Sequence, residues 1–385
     1  MSEFRTIREL CSVVVDCPHS TPKWTANGKI VIRNNNIKHG RIDFSSPSYT
    51  DDEHFAQRIK RAKPQPGDII ITREAPIGDV GMIPENTECC LGQRMVLLRA
   101  NQSVCDNFYL LYSLQSLYVQ HQISWSEGTG TTVSNLRIPH LEQIQIPYLP
   151  LEQQAKISSV LRALEEKIEN NRRLNDNLQQ QAMSLYAEMF LNSSDSNVTS
   201  GTLSDIAVIT MGQSPSGSSY NEDGVGEVFY QGRAEFGFRF PKRRLFTTEP
   251  KRMAEAGDVL LSVRAPVGDL NIAYERCCIG RGLGAIHSKT GHSSFILYTM
   301  LALRSQLDVF NGEGTVFGSI NRDALNAIPI DIPPVTEIDQ FEVVAHPIDE
   351  LIRANYEENC RLEAIRDSLL PKLMSGEIDV SAVQL

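Results

Sequence analysis

The sequence predicts a mixed α/β (α+β) protein with a two-fold internal repeat, in which two globular segments are separated by two long antiparallel helices that form a coiled-coil spacer. Three observations predict this. The chain has 385 residues, more than one ordinary core holds, because domains usually take about 100 to 200 residues. Residues 128–190 align without gaps to 312–374 at a constant offset of 184, with 15 identities in 63 positions. Both copies of that stretch run into a heptad pattern of apolar residues, the signature of a coiled coil.

The repeat dictates the order globule, helix, globule, helix, over residues 1–150, 151–192, 193–334 and 335–385. GTGTTVSNL at 128 matches GEGTVFGSI at 312, and Leu141, Ile144, Ile146 and Pro150 recur as Leu325, Ile328, Ile330 and Pro334. Upstream, PGDIIITREAPIGDVGMI from Pro66 corresponds to AGDVLLSVRAPVGDLNIA from Ala256, and CCLGQR at 89 to CCIGRG at 277. TIRELCSVVV near the start is echoed by TLSDIAVIT at 202. Self-similarity over so long a period marks two copies of one architecture. The polar, turn-rich run from Asn192 to Gly201 links the halves.

Inside each globule, short apolar runs bounded by Gly, Pro and Asp read as strands, among them Ile69-Ile70-Ile71, Met95 to Leu98 and Val259-Leu260-Leu261. DNFYLLYSLQSLYVQHQI at 106 and SSFILYTMLALRSQLDVF at 293 carry apolar residues at helical spacing, which predicts one substantial helix per globule. Their aromatics, including Phe108, Tyr112 and Phe295, read as core.

In the first long helix the apolar seam steps by four and three through Ile157, Leu161, Leu164 and Ile168, and resumes at Leu178, Ala182, Leu185 and Met189. Asn171 and Asn175 interrupt it, and Asn355 and Asn359 interrupt the second seam of Phe341, Ala345, Ile348, Ile352, Leu362, Leu369 and Leu373 at the equivalent points. Asparagines buried in such a seam set register at a cost in stability. Antiparallel pairing would place Asn171 opposite Asn359 and Asn175 opposite Asn355. Proline inside a helix costs about 3 kcal/mol and kinks it, so a bend is expected near Pro347 and a helix end near Pro371. The 33 residues from Ile157 to Met189 would make a rod of about 50 Å.

Composition narrows the function. No window approaches the roughly 20 apolar residues of a membrane span, and MSEFRTIREL lacks the apolar core of a signal peptide, which predicts a cytoplasmic protein without membrane contact. Eight cysteines occur without a CxxC pair, and His19, His39, His54 and His140 show no ligand spacing, so no metal is expected and the thiols read as buried and reduced. The net charge is −10, yet residues 1–150 are neutral, 151–192 carry −1 and 193–334 carry −2, leaving −7 on residues 335–385. The acidity therefore does not exclude a nucleic-acid partner for the globules. No amino-methyltransferase tetrad, no GxxxxGK phosphate loop and no acidic nuclease cluster are present, which predicts a non-catalytic protein.

The segments GDIIITREAPIGDVGMI and its copy, GTGTTVSNL with IPHLEQIQIPYLPLEQQAKI, and the ending LLPKLMSGEIDV resemble the specificity subunits of type I restriction-modification systems, over nearly the whole chain. The resemblance implies two target-recognition domains, each reading one half of a bipartite, asymmetric double-stranded DNA target, with the helices fixing the gap. It implies docking to methyltransferase subunits, two of them, and motor-nuclease subunits in the full complex. It also implies that this chain holds no cofactor, S-adenosylmethionine residing on the methyltransferase. Two alternatives stay open on the residues: a specificity subunit of a related, type IIB-like assembly, and a coiled-coil protein scaffold without DNA binding.

Phosphate contacts need Lys, Arg or backbone amides, whereas base edges favour Arg and Lys for guanine and Asn and Gln for adenine. In the first globule Arg33, Asn34, Asn35 and Asn36 follow a predicted strand, and Arg58, Lys60, Arg61 and Lys63 form a basic run. In the second, Gln231 and Arg233 occupy a similar place, followed by Lys242, Arg243 and Arg244 and by Lys251 and Arg252. The glycine-rich loops carrying Thr131 and Thr315 could offer amides to a phosphate. Arg33, Asn35, Gln231 and Arg233 are the foremost candidates for base contact.

Overall fold

The computed structural model describes residues 3–38, 40–125, 135–192, 198–312 and 318–380. They form two compact units that cut across the sequence segments: Met1–Asn170 with Glu358–Leu385, and Asn171–Glu357. Each unit thus contains one globule and a portion of both long helices.

In the first unit, strand Glu3–Thr6 pairs antiparallel with Gln145–Tyr148 and leads into the helical turn Ile7–Leu10. Thr6 starts that turn through a capping box: Glu9 N donates to Thr6 Oγ1 at 3.2 Å and Thr6 N donates to the Glu9 carboxylate at 2.7 Å. These bonds hold the Glu9 carboxyl below the usual range. A four-stranded antiparallel sheet follows in the order Cys11–Asp16, Met95–Ala100, Ile69–Thr72, Val80–Met82. Alternation along Ile69–Thr72 sends Ile69 and Ile71 into one core, with Tyr109 and Leu110, and Ile70 into another, with Cys89 and Leu91. The predicted single helix is two, Asn107–Gln115 and Leu117–Trp125. Ser116 adopts an extended conformation, and its hydroxyl donates to Ser113 O at 2.6 Å while its carbonyl accepts from Val119 N and Gln120 N. It ends one helix and begins the next.

The second unit repeats the plan. Thr199–Thr202 pairs with Pro329–Ile332, Thr202 and Asp205 form the equivalent capping box, and the four-stranded sheet runs Ala207–Met211, Leu283–Ser288, Val259–Ser262, Leu270–Ile272. Val259 and Leu261 face the core of Phe295 and Tyr298, and Leu260 faces that of Val228 and Cys277. Here too the expected helix breaks, at Leu303, between Ser293–Ala302 and Arg304–Asp308.

The central helix spans Leu151–Tyr186 and the C-terminal helix Val335–Ser375. In the first unit their portions run antiparallel: Ile157 and Leu161 share a core with Leu373 and Met374, while Lys167 pairs with Glu358 at 3.0 Å and Asn359 Nδ2 donates to Ile168 O at 3.3 Å. In the second unit the Tyr186 and Phe341 rings lie 5.6 Å apart, Asn355 Nδ2 donates to Asn175 Oδ1 at 2.8 Å, and Asn175 Nδ2 donates to Ile352 O at 3.3 Å. All four seam asparagines, Asn171, Asn175, Asn355 and Asn359, are buried. The C-terminal helix passes unbroken through Pro347 and, against expectation, continues past Pro371 to Ser375. Burial of Leu373 and Met374 in the first unit's core offsets the hydrogen bond that Pro371 forfeits, and Gly376, at φ +73°, ends the helix.

All eight cysteines are free. Burial pushes the Cys11, Cys89 and Cys277 thiols up to about 12, which keeps them protonated and inert. Cys360 departs from the buried pattern and is exposed, because it lies outside the heptad seam. Among the described residues no helix is long and apolar enough to cross a membrane.

Asn355→Ala should lower unfolding stability by about 1 to 3 kcal/mol, since it leaves the buried Asn175 Oδ1 without the donor Asn355 supplies, whereas Asn175→Leu with Asn355→Leu should cost less than the single change. Urea unfolding of the three chains checks the order.

Candidate nucleic-acid interface

Among the described residues, each globule contains one pair of parallel strands, while its other paired strands are antiparallel. In the first unit Lys29–Ile32 runs parallel to Cys89–Leu91, with Val31 opposite Cys90. In the second Glu227–Tyr230 runs parallel to Cys277–Ile279, with Phe229 opposite Cys278. Parallel strands release their following loops at the same edge. Arg33–Asn36 therefore lies beside the Gly92 loop, whose N–H donates to Ile32 O at 2.8 Å. Likewise Gln231–Glu235 lies beside Gly280–Gly282, with Gly280 N donating to Tyr230 O at 2.8 Å and Gly282 N to Gln231 O at 3.3 Å. The approach is close enough to require glycine: a Cβ at Gly280 would stand 2.9 Å from both Gln231 Cα and Gln231 O.

The structure sorts the sequence candidates into presented and occupied side chains. Arg33 is exposed, with its guanidinium 5.1 Å from the Trp24 ring centroid, a cation–π contact that orients it. Asn35 is exposed beside it. Asn34 Nδ2 donates to Glu74 O at 2.8 Å, and Asn36 is buried, accepting from Arg33 N at 2.9 Å and donating to Asp43 O at 3.0 Å. Asn36 thus shapes the turn and presents nothing to a ligand.

In the basic run, Arg58 is corrected from a surface cation to a buried brace. Its guanidinium donates to the carbonyls of Leu91, Gly92, Ser20 and Pro18 at 2.7 to 3.1 Å, tying two segments of chain to its own helix. Lys60 is exposed, Arg61 is exposed and donates to Asp16 O at 3.2 Å, and Lys63 pairs with Glu88 at 2.8 Å. The Lys29 and Lys63 ammonium groups hold the Glu88 carboxyl at about 2.

In the second unit Gln231 and Arg233 are both exposed at the loop, and Arg233 is hydrogen-bonded to Asp269. Asp269 is shared, because Arg304 donates to its other oxygen at 3.0 Å. The two arginines line an open cavity of about 430 Å³ with Phe236. Lys242, Lys251 and Arg252 are exposed, whereas Arg243 pairs with Glu275 at 2.5 Å and Arg244 with Glu235 at 2.7 Å. Thr131, Thr315 and His39 lie outside the described residues.

Sequence reasoning missed Trp24, which precedes its loop in a stretch without strand or helix pattern, and Asp269 and Arg304, which lie far in sequence from Arg233. It also passed over Arg94 and Arg281, exposed in the CCLGQR and CCIGRG segments, whose duplication was a usable signal. Among the described residues no group of three His, Cys, Asp or Glu could hold a metal.

Arg58→Ala should destabilise the chain by at least about 3 kcal/mol, because it strips a charged donor from four carbonyls, while Lys60→Ala should change stability by no more than about 0.5 kcal/mol. Thermal unfolding of both variants separates brace from surface.

A model of the type I restriction modification DNA specificity domain matches residues 3–180 and again 195–359. A putative type I restriction enzyme MjaX specificity subunit from Methanocaldococcus jannaschii is 28% identical, covering 98% of this chain and 94% of its own length. The MjaIX specificity subunit of the same organism is 24% identical over 82% of this chain and 78% of its own. The crystal structure of a type I restriction-modification S subunit from M. genitalium shares the fold, with a TM-score of 0.57 and 19% identity over 96% of this chain and 95% of that one. With two matches that together cover most of its length, each carrying one parallel strand pair and its two loops, the chain belongs to the type I restriction-modification DNA specificity family, as a specificity subunit.

Proposed function

We propose that the chain is the non-catalytic DNA reader of a type I restriction-modification complex, with each globule reading one half of a bipartite, asymmetric target. The observation that carries this reading is the loop pair that occurs once per repeat on the same parallel-strand frame but with different side chains: Arg33, Asn34 and Asn35 in one copy, Gln231, Gly232 and Arg233 in the other. One frame with two sets of donors and acceptors is what two unlike half-sites require. The domain division that goes with it is 1–150 and 193–334 as readers, with 151–192 and 335–385 as the helices that set the gap between half-sites.

The same helices supply a docking surface for methyltransferase subunits, two per complex, with motor-nuclease subunits added for restriction. S-adenosylmethionine is held by the methyltransferase, and the complex works in the cytoplasm, where the DNA is. The seam asparagines keep the two helices in one register, a role supported by the bond between Asn175 and Asn355. Many exposed cations already face carboxylates, as Lys63 faces Glu88 and Arg243 faces Glu275. The chain by itself should therefore bind DNA weakly and with a shallow salt dependence.

Co-expression with the methyltransferase of the same system, followed by methylome sequencing, should yield one bipartite methylated motif, and its absence would overturn the reading. Arg233→Ala should relax one half of that motif at one position, at a cost of about 1 to 3 kcal/mol in binding, with the other half untouched. An unchanged motif and affinity would remove Arg233 from the interface.

A further inference from the structure

In each unit a tyrosine and an arginine from the globule converge on one turn of a long helix. In the second unit the Tyr298 hydroxyl donates to Asp349 Oδ1 at 2.9 Å, and the Arg239 guanidinium lies 3.2 Å from the same oxygen and 3.3 Å from the tyrosine hydroxyl. Arg239 is 4% exposed, and among the described residues Asp349 is the carboxylate paired with it. In the first unit the Tyr112 hydroxyl donates to Glu165 Oε2 at 3.0 Å, while Arg41 donates to Glu165 O at 2.9 Å and pairs with Glu169 at 2.9 Å.

Glu165 and Asp349 are the same position of the repeat, 184 residues apart. The arginines are not at matching positions, since Arg41 and Arg239 are 198 apart. Even so, both leave the segment that runs along the outer strand of the four-stranded sheet: Met82 N donates to Gly40 O, and Ile272 N donates to Arg239 O. Unlike stretches of chain thus deliver the same two groups to the same turn of helix.

The Arg239–Asp349 pair is buried, and such a pair contributes little net stability compared with apolar packing while its directed bonds fix geometry. The Arg41–Glu169 pair is half-exposed, and in the first unit the directed bonds are those of Tyr112 and Arg41 to Glu165. We propose that Tyr298–Asp349–Arg239 and Tyr112–Glu165–Arg41 are positioning struts that fix the angle of each reading globule to its helix, and so the number of base pairs between the two half-sites. This rests on the reading of the chain as a two-globule DNA reader. None of these residues is among the base-contact candidates, so half-site identity and gap length should be separable.

The test uses the full chain assembled with its methyltransferase partner, with methylome sequencing as the readout. The wild-type complex should methylate one motif with one gap. Tyr298→Phe and Asp349→Asn should keep both half-sequences but spread methylation to gaps longer or shorter by about one base pair, a step of about 3.4 Å. Asp349→Glu, which installs the residue type of the first unit, should restore the single gap. If Asp349→Asn yields no complex, Tyr298→Phe, which removes one hydroxyl, decides. A single wild-type gap in every variant that assembles, even at lower total methylation, would overturn the struts and leave the DNA-reading function standing. A wild-type complex with no bipartite motif would overturn that function, and the struts with it.

Discussion

Both globular cores are closed by side chains from both long helices, and the rest of the structure depends on that shared burial. In the first core Ile157 and Leu161 of the central helix and Leu373 and Met374 of the C-terminal helix pack with Ile7, Leu10, Tyr109 and Leu141. In the second, Ala182 and Tyr186 join Ile338, Phe341 and Ala345 against Leu203, Phe295 and Leu325. Each large apolar side chain so buried contributes about 1.5 to 3 kcal/mol, so neither globule can be cut from the helices without opening its core. The same burial explains why the C-terminal helix tolerates Pro371: ending there would withdraw Leu373 and Met374 from the first core.

On that frame the strand-end loops can vary. The strand pairs are held from beneath by Cys89 and Cys277, both fully buried, and the loops above are clasped by main-chain bonds, by the close approach at Gly280 and by the buried Asn36, none of which involves the side chains of Arg33, Asn35 or Gln231. Arg58 gathers the first globule's loops through carbonyls alone. Side chains that face outward are thereby free to differ between the copies, as they do at Arg33 and Gln231. Acidic partners such as Asp269 and Glu88 hold cations in place and keep the charge of the surface around the loops low.

Much of the fold was legible in the sequence because it is written as periodicity. The heptads gave the helices, and the gapless offset gave the two-fold plan. The breaks at Ser116 and Leu303 were hidden, because apolar spacing continues across them and the capping bonds of Ser116 are local polar chemistry that outranks it. The division into compact units was also hidden, since it depends on which distant segments share a core. At the candidate site the strand-end loops were legible from residue type and placement. Arg58 and Asn36 were misread because charge and polarity in sequence do not tell whether a group faces water or a ring of carbonyls. Asp269 and Arg304 were missed because nothing local links them to Arg233.

The central claim is that two independent readers share one frame, and a chimera tests it most directly. Residues 198–334 would be replaced by the corresponding segment of another specificity subunit, and the DNA methylated by the assembled complex would be sequenced. The account predicts a motif with one half unchanged and the other half replaced by that of the donor. A motif that changes in both halves, or in neither, from a complex that assembles and methylates would contradict it.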